Sequence, residues 1–139
     1  MAAANQNPIF TLVGDIQWGT GIVASANTVR GGSGAVMTCF SGDATNGGFV
    51  RELRWRAAGT NIATVGRVFI NNGSTNATPA NNILIDEITL SATTISEVAA
   101  LATYVVPLGF ALPPWYKVNV SLGTAVATGF YCSVFGGKY

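Results

Sequence analysis

Histidine is absent from this sequence, and charge is scarce. The 139 residues include no histidine, and charged residues make up only 9% of the chain. Because imidazole is the usual general base near neutral pH, its absence removes that base and every Ser–His or Cys–His nucleophile pair. Carboxylates remain, but the adjacent Asp86 and Glu87 would point to opposite faces of a strand, whereas a glycosidase needs two that face one substrate. We therefore expect that the protein is not an enzyme and has no catalytic residues.

The usual metal-binding and cofactor-binding patterns are missing as well. Two cysteines, Cys39 and Cys132, do not make a common zinc site without histidine. The glycine-rich residues 31–34 lack the lysine and the following helix that a phosphate-binding loop needs. We predict no metal, no cofactor and no small-molecule substrate. The two cysteines are expected to be reduced core thiols, with a cross-strand pair as the alternative.

Long hydrophobic runs and clusters of basic residues are not found either. One long uncharged stretch, residues 98–116, is interrupted by Pro107, Gly109, Pro113 and Pro114, which would break a spanning helix. The first residues have neither a basic start nor an apolar core, so no signal peptide is predicted and synthesis in the cytoplasm is expected. Seven basic residues against six acidic ones give no electrostatic footprint for nucleic acid. We predict neither a membrane nor a nucleic-acid partner.

The scarcity of charge has a consequence for the surface. Hydrophobic residues make up 49% of the chain, which is ordinary, whereas a typical soluble domain carries about 25% charged residues. The exposed faces must therefore be covered largely by neutral polar residues and glycine. A net charge of +1 protects such a surface poorly against association. This composition favours an oligomer that works against neighbouring proteins, with a monomer of neutral polar surface as the alternative.

The pattern of turns and alternating residues predicts an all-β protein. Gly, Asn, Thr and Pro recur about every ten residues, which is typical of an antiparallel β-sandwich. In residues 116–122 every second residue is apolar, so Lys117, Asn119 and Ser121 are predicted to face outward. We expect about eight strands in a single domain over residues 9–139. A jelly roll fits best, with an Ig-like or up-and-down arrangement as the alternatives.

Arg54 and Arg56 form the densest charged group, together with Glu52. Alternation places them on the outward side of a strand with Val50, while Phe49 is expected on the inward side. The planar guanidinium groups suit bidentate contacts with carboxylates of an adjoining subunit. The alternative is that they cover the outer face of the sheet and pair diagonally with Glu52. We name both arginines as candidate interface residues.

Trp115 is a further candidate interface residue. It follows Pro113 and Pro114, which make a rigid turn. Packing of the indole in the core or at its rim is expected. The alternative is an indole exposed at a loop tip, where it would contact another subunit or stack on a sugar. Residues 30–34 form a second loop, which so many glycines should make flexible.

The first eight residues are predicted to form an extended N-terminal arm. Asn5, Gln6, Asn7 and Pro8 are polar or rigid, and the arm has too little apolar surface to join a core alone. It is either a disordered tail or an extension that becomes ordered on a neighbouring subunit. In the second case it would add backbone hydrogen bonds to the edge of another chain's sheet. These four residues complete the set of candidate contacts.

A set of segments occurs along the chain at defined spacing: Gly47-Gly48 and residues 58–61, 67–73, 107–114, 120–124 and 135–139. Each segment alone consists of turn residues beside apolar strand residues, but together they cover most of the chain from about residue 35 onward. In their order and spacing these segments resemble a family of small virion structural proteins of tailed bacteriophages and prophages.

The resemblance implies a capsid decoration (cement) protein with a β-sandwich fold. Its partners would be the major capsid protein and two further copies of itself in a homotrimer. Its place would be the outer capsid surface of the virion, after synthesis in the bacterial host cytoplasm. No functional residues come with the resemblance. The alternatives are a tail-fibre or receptor-binding module that recognises host surface carbohydrate, using Trp115 or the Asn-rich residues 71–82, and a subunit that builds a shell by itself.

Overall fold

The computed structural model describes residues 11–139, which form nine β-strands and one 3₁₀ turn. The first five strands are β1 Val13–Gln17, β2 Ile22–Val23, β3 Met37–Ser41, β4 Gly48–Ala57 and β5 Thr64–Asn71. After the 3₁₀ turn Pro79–Asn81 come β6 Asn82–Leu90, β7 Thr103–Leu112, β8 Lys117–Leu122 and β9 Phe130–Lys138. Within these described residues no helix is long and apolar enough to cross a membrane. The predicted all-β class is confirmed.

The strands form two antiparallel sheets, as a β-sandwich requires. The first sheet has the order β1-β9-β4-β7, with β2 also paired to β9, and the second has the order β3-β8-β5-β6. Apolar side chains from both sheets form one core, because successive residues of a strand point to opposite faces. Its fully buried members include Phe40, Val50, Leu53, Trp55, Val68, Leu90, Val118, Val120, Leu122, Phe130 and Val134.

A β-bulge in β4 overturns one expectation from the sequence. The pairing of β4 with both neighbours shifts between Val50 and Glu52, and opposite β9 Arg51 is an extra residue, because two steps along β4 match one step along β9. Val50 is therefore fully buried, whereas Phe49 is only half-buried, the reverse of the predicted orientation. A strict period of two does not survive a bulge, and the sequence carries no clear sign of this one.

The alternation predicted for β8 holds, but the residues that point away from the core are not exposed. Asn119 and Ser121 are buried although they lie outside the apolar core cluster. Asn119 accepts a hydrogen bond from Thr38 Oγ1 at 2.9 Å and lies beside Asn76 of the loop before β6. Loops rather than solvent thus cover the part of the outer face of the second sheet around Asn119.

The glycine-rich loop is fastened to this face, which corrects the expectation of a flexible segment. Gly32 has a φ of +82°, and a Cβ at this position would lie 2.8 Å from the ring of Phe69, which is fully buried. Arg30 binds Glu87 of β6 through two hydrogen bonds of 2.8 and 2.9 Å. The glycines allow close approach of the backbone to the aromatic ring, so they serve packing and not mobility.

Candidate functional site

The outer face of the first sheet carries large apolar side chains that the core does not use. Ile16, Ile22, Val105 and Tyr131 project from it with exposed fractions between 44% and 53%. The register places Ile16 opposite Phe135 and Ile22 opposite Tyr131. We call Ile16, Ile22, Phe49, Val105, Tyr131 and Phe135 the apolar outer face. Such exposed apolar surface is costly in water and marks interaction sites on many proteins.

A groove crosses one end of this face. It is open, has a volume of about 570 Å³, and is lined by Thr11, Gly14, Ile16, Phe49, Arg51, Phe135 and Gly136. Gly14 leaves room at its centre, because a Cβ there would have no neighbour within 4 Å. Its lining includes one charged side chain, Arg51. The groove suits an apolar side chain or an extended segment of another protein better than a polar small molecule.

A strip of charge runs along β4 beside the apolar side chains. Glu52 accepts a hydrogen bond from Arg54 at 2.9 Å and from Arg51 at 3.4 Å. The Arg54 guanidinium also lies over the Phe135 ring, 4.6 Å from its centroid. Arg56 donates to Thr103 Oγ1 at 2.9 Å. Three guanidinium groups and one carboxylate leave this strip positively charged.

The structure places the predicted residues Arg54 and Arg56 on the outer face, where Arg54 pairs with Glu52 as the alternative reading expected. Their guanidinium groups remain accessible to a partner's carboxylates, since the Arg54 side chain is 43% exposed. Their role in an interface stays a prediction. Asn5, Gln6, Asn7 and Pro8 of the predicted arm lie outside the described residues.

Trp115 lies elsewhere, at the tip of the connection between β7 and β8. It follows the end of β7 at Leu112, whereas Arg56 pairs with Thr103 at the beginning of that strand. Trp115 is 65% exposed and has a φ of +71°, a left-handed conformation that is strained for an aromatic residue. Gly73 packs against it, since a Cβ at Gly73 would lie 3.0 Å from Trp115 Cβ. The tryptophan and the Asn-rich loop are therefore neighbours.

A second charged cluster holds loops together on the other sheet. Glu87 accepts hydrogen bonds from Arg30 and from Arg67 Nε, the latter at 2.9 Å. The hydrogen bond from Arg30, and then that from Arg67, holds the pKa of the Glu87 carboxyl below its ordinary value of 4.5. Arg67 also donates to the Asn27 carbonyl oxygen at 3.0 Å. A carboxylate neutralised in this way anchors a loop and is a poor general base.

Residues 11–139 contain no group of three or more His, Cys, Asp or Glu side chains arranged to hold a metal ion. The exposed side chains of the first sheet include several large apolar and several basic ones. The sequence analysis missed Ile16, Ile22, Tyr131 and Phe135 as surface residues. A signal was present in β9, where the inward series Phe130, Cys132 and Val134 leaves Tyr131 and Phe135 on the opposite side.

Comparison with known proteins adds no relative on which to judge these residues. No protein-family model matches the chain, and no curated protein and no solved structure is significantly similar to it.

Proposed function

We propose that this chain is a phage virion structural protein, a capsid decoration protein that binds the outer capsid lattice as a trimer and stabilises it. The observation that carries the proposal is the apolar outer face of the first sheet, bordered by the arginines of β4. A protein that works through such a face binds other proteins rather than transforming a substrate. The resemblance of residues 35–139 to virion structural proteins supports the same class.

The order of the strands supports a jelly roll as the finer description of the sandwich. Strands β1, β3, β4 and β5 pair in reverse order with β9, β8, β7 and β6. The chain is thus one long antiparallel hairpin that has been wrapped so that alternate strand pairs fall in opposite sheets. That winding places four of these eight strands in each sheet, as in the double-sheet jelly rolls of viral capsid domains, and the short strand β2 adds a fifth to the first sheet.

The proposed mechanism is mechanical. The apolar outer face would contact the major capsid protein or a second copy of this chain, while Arg54 and Arg56 pair with carboxylates at the rim of the contact. Residues 1–8 would reach to the shell as an arm. A trimer that binds several capsid subunits at once gains affinity through effective concentration, so individually weak contacts resist internal pressure.

The direct test of the proposal is the copy number of this chain in purified particles, measured by quantitative mass spectrometry against the major capsid protein. Hundreds of copies in a near-integer ratio to the capsid subunit are expected for a decoration protein. A handful of copies would place the chain on the tail or at a special vertex and would overturn the lattice role.

A variant of the apolar outer face tests whether this surface is the one that binds the capsid. Ile16→Lys places a charge on the exposed side of the groove and should weaken decoration of stripped particles by about tenfold or more. Ile83→Lys is the matched control, because Ile83 is a similarly exposed isoleucine on β6 of the second sheet. Equal decoration by both variants and the wild-type chain would contradict the assignment of this face.

A second candidate function has one specific observation in its favour. The strained backbone of Trp115 presents an exposed indole beside the Asn-rich loop, which is the arrangement that a host carbohydrate would require for stacking and hydrogen bonding. If the chain is a receptor-binding module, Trp115→Ala should abolish glycan binding measured by titration calorimetry. Trp18→Ala removes a comparably exposed tryptophan and should leave that binding intact. A wild-type chain that binds no glycan excludes this candidate.

A further inference from the structure

Cys39 and Cys132 meet in the core between the two sheets. Cys39 belongs to β3 of the second sheet, and Cys132 belongs to β9 of the first sheet. Their Sγ atoms are 3.4 Å apart, and the Cys39 thiol donates a hydrogen bond to the Cys132 carbonyl oxygen at 3.3 Å. The two residues are 93 positions apart in sequence. Only the packing of one sheet on the other brings the two sulfur atoms together.

We propose that Cys39 and Cys132 form an intramolecular disulfide that joins the two sheets when the protein is exposed to a small-molecule disulfide oxidant. A disulfide requires a sulfur separation of about 2.05 Å, so the sulfur atoms must approach by about 1.4 Å. The two sulfur atoms already contact each other from facing strands, so only a small movement of the side chains or strands has to close the remaining gap. This inference does not depend on the proposed function.

The chemistry balances as two thiol–disulfide exchanges with oxidised glutathione. One cysteine thiolate attacks a sulfur atom of the oxidant, which forms a mixed disulfide and releases one glutathione thiolate. The second cysteine thiolate then attacks the protein sulfur of the mixed disulfide and releases the second glutathione thiolate. The two protein thiols lose two protons and two electrons in total, and the oxidant becomes two glutathione thiols.

Burial determines when this bond forms. Cys39 is 1% exposed and Cys132 is fully buried. Desolvation, with the hydrogen bond to Cys39 as a further cause, raises the pKa of the Cys132 thiol, so the reactive thiolate is scarce in the folded protein. Exchange therefore requires folding or local opening in the presence of the oxidant. Once formed inside the core, the bond is shielded from reductants in the same way.

The bond would close a loop across most of the chain. A cross-link between such distant residues restricts the unfolded chain strongly, because the entropy removed grows with the length of the closed loop. It would also tie the first sheet covalently to the second within the core of the sandwich. The oxidised protein should therefore unfold at a temperature about 10 °C higher than the reduced protein.

The test is to refold the reduced, denatured full-length chain in a mildly alkaline buffer of reduced and oxidised glutathione. The product is then unfolded in the presence of an alkylating agent, and its thiols are counted by mass spectrometry. We expect a monomer with no free thiol, a linked peptide pair that contains Cys39 and Cys132, and the higher unfolding temperature. Dithiothreitol added to the unfolded chain should restore two thiols, and refolding of the reduced chain without the oxidant should return the lower unfolding temperature.

Single variants provide the matched control. Cys39→Ala and Cys132→Ala each retain one thiol, so the unfolding temperature of either variant should not depend on the glutathione buffer. If these variants do not fold, the thiol count and peptide map of the wild-type chain decide the matter alone. Two alkylated cysteines, a stable mixed disulfide with glutathione, or a disulfide between two chains would each overturn the proposal.

Discussion

Gly66 and Trp55 show how a single residue sets the distance between the two sheets. Trp55 is fully buried on β4, and its ring lies against Gly66 of β5 in the facing sheet. A Cβ at Gly66 would lie 2.9 Å from Cε2 of the indole. The indole is held between rigid strands on both sides, so it has little freedom to retreat. Glycine at this position is therefore required by packing rather than by a turn.

Gly66→Ala should lower the free energy of unfolding by about 1–3 kcal/mol, because overpacking forces the indole or the strand to shift. Gly14→Ala is the matched control on β1, where the added methyl group meets no atom within 4 Å. That control should be neutral or raise the free energy of unfolding by about 0.5 kcal/mol. Urea denaturation of both variants checks the prediction, and equal stabilities would show that the indole relaxes freely.

The loop between β2 and β3 is held in place by hydrogen bonds within the loop and by contacts with distant strands. Asn27 donates to the carbonyl oxygens of Ser33 and Ala35 at 3.1 and 2.9 Å, which closes the loop on itself. Its backbone N–H donates to the Leu122 carbonyl oxygen of β8 at 2.8 Å. With the Arg30–Glu87 pair, these bonds turn a glycine-rich segment into a cover for the second sheet.

Glu87→Gln should release this cover and change how stability responds to acid. Because the folded-state pKa of Glu87 is lowered, the ionised carboxylate contributes stability above its ordinary value of 4.5, and that contribution is lost as the pH falls through the lower folded value. On acidification below about pH 4.5, the urea concentration at the unfolding midpoint should therefore fall by less in the variant than in the wild-type chain. Amide hydrogen exchange in residues 30–34 should be faster in the variant at neutral pH.

Glu97→Gln is the control for this prediction, since it removes one negative charge from an exposed loop. Some acid dependence should persist in every variant. Asp43 contributes to it, because backbone hydrogen bonds from Asn46 and Thr45 lower the pKa of the Asp43 carboxyl. If the urea midpoint depends on pH in the same way in Glu87→Gln and in the wild-type chain, the Glu87 carboxylate adds nothing to stability.

At the scale of the whole molecule, the two sheets have unlike outer faces. The second sheet is covered by the chain's own loops, which bury Phe69, Asn119 and Ser121. On the first sheet Tyr131, Val105 and the arginines of β4 remain accessible among the described residues. This asymmetry gives the molecule one side suited to partners. It is the structural basis for expecting assembly through the first sheet.

Reversing charge on that side should disturb assembly more than folding. Arg54→Glu combined with Arg56→Glu replaces two exposed guanidinium groups and places like charge beside Glu52. We expect loss of the oligomer or of particle binding, measured by analytical ultracentrifugation and by decoration of stripped particles, with a fall of only a few degrees in the unfolding temperature. Arg54→Lys with Arg56→Lys keeps the charge and should retain most of the binding. An unchanged assembly state in the Glu variant would assign both arginines to a merely solvated face.

The sequence alone was sufficient for the class of fold and for much of the core. The all-β sandwich and the inward series of β8 follow from turn chemistry and from a period of two, which are local properties. The side chain of Trp115 is exposed at a loop tip, which was the alternative to the expected packing in the core or at its rim.

Tertiary structure decided which faces meet solvent and which distant residues become neighbours. The bulge at Arg51 reversed the directions in which the Phe49 and Val50 side chains point. The loop around Gly32 packs on the outer face at Phe69, which alternation alone predicts to be exposed to solvent. The 3.4 Å approach of Cys39 and Cys132 likewise arises only when β3 packs on β9. The physical reason is common to all three: a local pattern states which side chains share a face, whereas the partner of each face is fixed by contacts between segments far apart in the chain.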